Sequence, residues 1–120
     1  MEIKTFKFTN IKLDRGLQDY IWKKMMRLEK FLGKMGLPQD LHIEAGKSTA
    51  HHKEGRIFRV EATLEIPGKV LRAESCEFDL RVAADNVYNE LAREIKELKG
   101  QLRAKQRQGA RVIKNLEVNL

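Results

Sequence analysis

The side chains with the most evident chemistry in this sequence are basic, and they recur at helical spacing. At about 100° per residue, Arg93, Lys96, Arg103 and Arg107 share one side of a helical wheel, with Lys99 on the flank. Residues 93 to 111 hold seven bases (Arg93, Lys96, Lys99, Arg103, Lys105, Arg107 and Arg111) and two acids, Glu94 and Glu97. A pair such as Arg93 with Glu97 relieves part of that charge, but two acids do not neutralise seven bases. No further acid occurs until Glu117. Lys23, Arg27, Lys30 and Lys34 step by four, three and four and form a second ridge. Lys24 falls inside the apolar stripe of the same segment, where its stem can be buried while the ammonium reaches the edge. Such arrays suit phosphate. They displace condensed counterions and give affinity with little sequence preference and a steep salt dependence. Helix-borne bases also fit shape-led recognition of structured RNA better than readout of base edges.

Other chemistries find less support. His51-His52 and His42 present no recognisable ligand set, so no metal or cofactor is expected. Cys76 is the only cysteine, which rules out an internal disulfide and a structural zinc site of the cysteine type. Its place at the end of an apolar alternation reads as packing. Glu61 and Glu65 belong to the polar face of a strand, salt-paired or solvated. No glycine loop of the phosphate-cradling kind occurs. The chain is therefore read as a binding protein, not an enzyme, with no small-molecule substrate. Trp22 reads as an edge packing residue, with base stacking as the alternative, and Tyr20 as core.

The elements that would position the bases follow from periodicity. Residues 2 to 9 alternate as a strand. Asp14 caps a helix from about Arg15 to Gly33, whose stripe is Leu17, Tyr20, Ile21, Leu28, Phe31 and Leu32. Gly33, Gly36 and Pro38 end it. Three alternating runs follow: Leu41-Ile43-Ala45, Phe58-Val60-Ala62-Leu64-Ile66 and Leu71-Ala73-Ser75. The middle run is the longest and is placed centrally, Pro67-Gly68 makes a tight hairpin turn, and Thr49 to Gly55 is a longer polar loop. Asp79 caps a long helix whose seam is Leu80, Ala83, Ala84, Val87, Leu91, Ile95, Leu98 and Leu102. Lys105 lands on that seam, so packing is expected to end near Leu102. Gly100 and Gly109 weaken the end, leaving a domain over residues 1–105 and a flexible tail over 106–120. The order is β-α-β-β-β-α, an α+β fold with both helices on one face of the sheet.

Composition agrees. A length of 120 residues bounds the chain to one domain, and 42% hydrophobic residues suffice for a modest core. Lys and Arg number 24 against 17 Asp and Glu, a net charge of +7 with a pI near 9.7, which favours polyanionic partners. No apolar run suggests a leader or a membrane span, so a cytoplasmic, membrane-free protein is expected.

Several stretches in this order resemble the ribosome hibernation-promoting factors, also called ribosome-associated inhibitor or protein Y. Leu17 to Phe31, ending Arg27-Leu-Glu-Lys-Phe31, resembles the family's first helix. Ala62-Thr63-Leu64-Glu65-Ile66 followed by Leu71-Arg72-Ala73-Glu74-Ser75 resembles its central hairpin. Asp79-Leu80, Ala83-Ala84-Asp85 and Glu90-Leu91-Ala92-Arg93-Glu94-Ile95 resemble its second helix. The likeness spans about residues 3 to 103, apart from the longer loop near 49–55. It implies a four-stranded mixed sheet with two helices on one face. It also implies binding to ribosomal RNA in the tRNA and mRNA channel of the small ribosomal subunit, inhibiting translation and protecting idle ribosomes under stress. The matching bases are Lys24, Arg27, Lys30, Arg93 and Lys96, with Lys99 and Arg103 continuing the ridge. Arg81 stands where the family carries an aromatic and offers a further phosphate contact, and Glu77 replaces a glycine. The length is that of a short form without the second domain that pairs ribosomes, and a monomer is favoured. Two other readings stay open at this point: a generic structured-RNA-binding or RNA-chaperone module, and a protein-binding transcription regulator.

Overall fold

A computed structural model of the chain describes residues 1–33, 35–48 and 57–118, with side chains described as far as residue 110. Among them run β1 (Glu2–Thr9), α1 (Arg15–Met26), α2 (Glu29–Leu32), β2 (Asp40–Lys47), β3 (Phe58–Ile66), β4 (Lys69–Glu77) and α3 (Leu80–Val118). The order is the expected one, with the first helix divided in two. Lys34 and the loop expected over Thr49 to Gly55, with His51 and His52, lie outside the described residues.

The strands stand in the order β1-β2-β3-β4, with β1 parallel to β2 and the other neighbours antiparallel. The parallel pair needs a crossover, and α1 and α2 supply it. Gly46 faces Thr9 across that pair, where an added Cβ would sit 1.8 Å from the Thr9 carbonyl oxygen. Only glycine permits the strands this approach. Pro67 and Gly68 make the β3–β4 turn, Gly68 at a φ of 79° that a side chain would resist.

Asp14 opens α1 as expected, its carboxylate accepting the Gly16 and Leu17 N–H groups at 2.8 and 3.3 Å. The helix does not run unbroken to Gly33. At Arg27 and Leu28 the backbone tightens to i→i+3 bonds, onto the Lys24 and Met25 carbonyls, before α2 resumes. The tightened turn keeps Ile21, Met25, Leu28 and Leu32 buried in one line. Met25 is a core residue absent from the expected stripe, whereas Leu17, Tyr20 and Phe31 are only partly buried.

Inward-facing residues of β2, β3 and β4, among them Leu41, Ile43, Val60, Leu64 and Leu71, form one cluster with the helices. From α3 it takes Leu80, Ala83, Ala84, Val87, Tyr88, Leu91, Ala92 and Ile95. Packing ends one turn earlier than expected: Leu98 is partly buried and Leu102 is 39% exposed. Yet α3 continues to Val118, so residues 106–118, expected as a tail, are helical. Gln101 to Gln108 are good helix formers without exception, which offsets the cost of Gly100 and Gly109.

Candidate nucleic-acid interface

The two basic ridges meet where α2 crosses α3. Lys30, Arg93 and Lys96 line a cleft of about 430 Å³, with Phe31, Tyr88, Asn89, Ala92 and Glu97. The Lys30 and Lys96 ammoniums stand 4.9 and 5.0 Å from the centroid of the Phe31 ring, which holds them near one another. Lys99, expected on the flank of the ridge, is tied to the backbone. Its Nζ donates to the Phe31 carbonyl oxygen at 2.8 Å, and Gln39 Nε2 donates to the Leu32 carbonyl oxygen at 2.9 Å. Carbonyls at the end of α2 thus gain side-chain donors, from Lys99 across the fold at Phe31 and from nearby Gln39 at Leu32, which also accepts the Met35 N–H at 3.0 Å.

Lys23, Lys24 and Arg27 surround a second, smaller depression of about 190 Å³ beside Tyr20. Its pivot is Asp85 on α3. The Tyr20 hydroxyl donates to Asp85 Oδ1 at 2.6 Å, and Lys24 Nζ lies 3.5 Å from the same oxygen. Lys24 also sits 5.0 Å from the Tyr88 ring centroid, and Arg81 lies 5.6 Å from that of Tyr20. Donation to Asp85, then burial, pushes the Tyr20 hydroxyl above its usual pKa. Lys24 thus does bury its stem, but its ammonium is tied to α3. Asp85 was not among the expected site residues, although Arg81, Asp85, Tyr88, Ala92 and Lys96 step by four, three, four and four down the flank that meets α1 and α2. An acid on that line opposite an off-pattern lysine was a readable signal.

The remaining bases divide into tied and untied. Arg93 donates to Glu97 at 2.5 Å and also to Glu90, which pushes its pKa up and that of Glu90 down. Arg93 is thus relieved by helical neighbours, among them the Glu97 that its spacing suggests. Lys23, Arg27, Lys30 and Lys96 make no ion pair among the described residues. Arg103 and Arg107 are exposed on α3 beyond the core, apart from both depressions.

On the other side of the sheet the charges close on themselves. Arg59 binds Glu61 and Glu74, and Arg72 binds the same two carboxylates, with separations of 2.8 Å for Arg59–Glu74 and Arg72–Glu61. His42 Nε2 stands 3.5 Å from Glu65. Trp22, 43% exposed, lies parallel to Phe6 at 6.4 Å on the first-helix side, as an edge packing residue would. Among the described residues, no three His, Cys, Asp or Glu side chains gather as metal ligands would, and no helix is long and apolar enough to cross a membrane.

The profile of the sigma 54 modulation protein / S30EA ribosomal protein family matches residues 5–103. The chain belongs to that family. A member from Deinococcus radiodurans, named ribosome hibernation promotion factor, is 27% identical over 111 residues, covering 92% of this chain and 56% of that protein. The chain thus spans about half the length of that relative. The fold is similar to the N-terminal domain of Thermus thermophilus Protein Y, with a TM-score of 0.66 at 21% identity, covering 82% of this chain and 99% of that one. A ribosomal subunit interface protein from Coxiella burnetii gives 0.64 at 16% identity, covering 80% and 96%. The four-stranded mixed sheet with its helices is thus a scaffold that this chain shares with both structures.

Proposed function

We propose that this protein binds the small ribosomal subunit through the flanks of α1, α2 and α3, occupying the tRNA and mRNA channel and silencing idle ribosomes under stress. Membership of the family and the names of its relatives support the ribosome as partner and, with it, the cytoplasm as compartment. The observation that carries the reading is the convergence of Lys30 and Lys96, from helices far apart in sequence, on one open cleft where neither meets an acid among the described residues. Lys23 and Arg27 extend that surface along α1, with Arg81 beside Tyr20. Arg103 and Arg107 continue it along α3, and Lys34 belongs to it by sequence. Arg93 and Lys99 serve it chiefly by fixing its shape. The protein binds as a monomer and catalyses no reaction.

Co-sedimentation with intact small subunits in excess free duplex RNA tests this. The wild-type protein should pellet with the subunits, and Lys30→Gln with Lys96→Gln should weaken binding at least about tenfold. The same pair should flatten the slope of log affinity against log salt by about 1.4 to 1.8. Complete displacement by duplex would leave a generic RNA-binding module. Unchanged pelleting of the double variant would remove the cleft from the interface.

A further inference from the structure

We infer that the cleft between α2 and α3 receives one unpaired nucleotide of an RNA strand, its base laid on the apolar floor and its phosphate held by Lys30 and Lys96. This rests on the reading of the helical face as RNA-binding and adds the form of RNA that the face selects.

Phosphate alone requires no more than exposed cations, and the outer flank of α1 already offers these. The α2–α3 cleft is built differently. Its floor is apolar: Tyr88 and Ala92 are 9% and 7% exposed, and the partly buried Phe31 ring stands beside them. Ala92 falls between Tyr88 and Lys96 on the α3 flank, where a larger side chain would fill the depression. At about 430 Å³ the space lies within the range of small-ligand pockets. Its rim carries a neutral carboxamide, Asn89, which is exposed and whose side chain makes no hydrogen bond among the described residues. A carboxamide offers donors and an acceptor together, as the edge of a nucleobase does. Arg93, paired with Glu90 and Glu97, presents a guanidinium plane beside the cleft against which a planar ring can lie. Glu97 also lines the cleft, but its carboxylate is engaged by that arginine, while Lys30 and Lys96 remain to meet a phosphate. Apolar floor, amide rim and paired ammoniums match the face, edge and phosphate of one nucleotide. Bases in a duplex are stacked away from such a cleft, whereas bases of loops and single strands can enter it.

The test compares an eight-nucleotide oligouridylate with an abasic ribose-phosphate strand of the same length, a duplex, uridine monophosphate and inorganic phosphate. Affinities are read by fluorescence anisotropy or, for the small probes, by shifts of the Asn89 side-chain amide in NMR spectra of the full chain. The base-containing strand should bind at least about fivefold tighter than the abasic one, the least that one stacked base provides. Asn89→Ala should reduce that ratio while leaving the salt slope unchanged, and Phe31→Leu, which also frees the Lys30 and Lys96 ammoniums from the ring, should reduce the ratio as well. The exposed Asn89 makes the first variant safe for the fold, and melting curves check the second. Equal affinity for the base-containing and abasic strands, or a ratio moved by neither variant, overturns the proposal. Uridine monophosphate binding as tightly as the strand would assign the cleft to a free nucleotide instead and so overturn it as well. Small-subunit binding retained with a ratio of one would sink the nucleotide cleft alone. A ratio retained without small-subunit binding would sink the ribosomal reading alone.

Discussion

The open face of the sheet and the helical face are both rich in charge, but they dispose of it in opposite ways. Glu61 and Glu74 are cross-strand partners, so like charges stand opposed in the register itself. Arg59 and Arg72, each two residue pairs away on opposite sides, reach across and close a ring of four charges with them. On α1, by contrast, Lys23 and Arg27 are four residues apart, a like-charge spacing that weakens a helix, and neither finds an acid among the described residues. The sheet face spends its charge on itself, while the helical face holds it available. Charge content alone would not separate the two faces; pairing does.

Both faces depend on the seam between them, and the largest effect comes from breaking it. Leu91 is fully buried on α3, so Leu91→Asp should cost more than about 4 kcal/mol and unfold the domain, because a buried carboxylate has no partner there. Leu102→Asp lies on the same seam past the last core contact and should cost less than about 1 kcal/mol. Urea titrations of the two variants read the difference. Similar losses would mean that the core extends down α3 beyond Leu98.

With the fold intact, charge reversal compares the faces directly. Lys96→Glu and Arg72→Glu alter net charge equally. Only the first should weaken RNA binding by tens of fold; the second should change it by less than about threefold, because screening confines the field to about 8 Å. Comparable losses would mean that net charge, not the helical face, drives association. Acid sharpens the same contrast. Hydrogen bonding from Arg72 and then Arg59 holds Glu61 below the usual carboxylate range, and Arg59 does the same for Glu74. A depressed carboxylate stabilises the fold above its unfolded pKa of about 4.5, and that contribution is lost as pH falls through the lower folded value. The melting temperature should therefore drop as pH falls from about 5 towards 3, and Glu61→Gln should blunt the drop. An equal drop in that variant would move the acid sensitivity elsewhere.

Periodicity revealed the architecture because each element buries one face: the alternations of β2, β3 and β4 and the four–three steps of α3 are direct images of that burial. Asp14 and Pro67-Gly68 were legible for a local reason, since a cap and a turn are made by neighbours in sequence. The break at Arg27–Leu28 was not, as no glycine or proline marks it and the packing of Leu28 and Leu32 decides it. The basic ridges were legible as ridges. Their meeting at Phe31 was not, because it depends on where two helices cross. The tying of Arg93 by Glu90 and Glu97 was half-visible in the four-residue spacing, whereas the capture of the Phe31 carbonyl by Lys99 spans 68 residues and leaves no local trace. The helical state of residues 106–118 rests on the helix formers around Gly100 and Gly109, whose summed propensity outweighs the two glycines.

The smallest effect concerns Glu94, an acid on α3 that joins neither face among the described residues. Glu94 Oε2 is buried without a hydrogen-bond partner among the described residues, and burial, then repulsion from Glu90, pushes its pKa up. The sign is opposite to that of the sheet carboxylates. A raised carboxylate binds its proton more tightly when folded, so stability is lost as pH rises from about 4.5 through the folded pKa. Glu94→Gln removes the charge and keeps the shape. It should therefore stabilise the protein at neutral pH by less than about 1 kcal/mol and flatten stability between about pH 4.5 and 7. Urea midpoints across that window read the change. If the glutamine variant is instead less stable at pH 7, the carboxylate has a partner in solution, and α3 balances its charges on this flank as the sheet does.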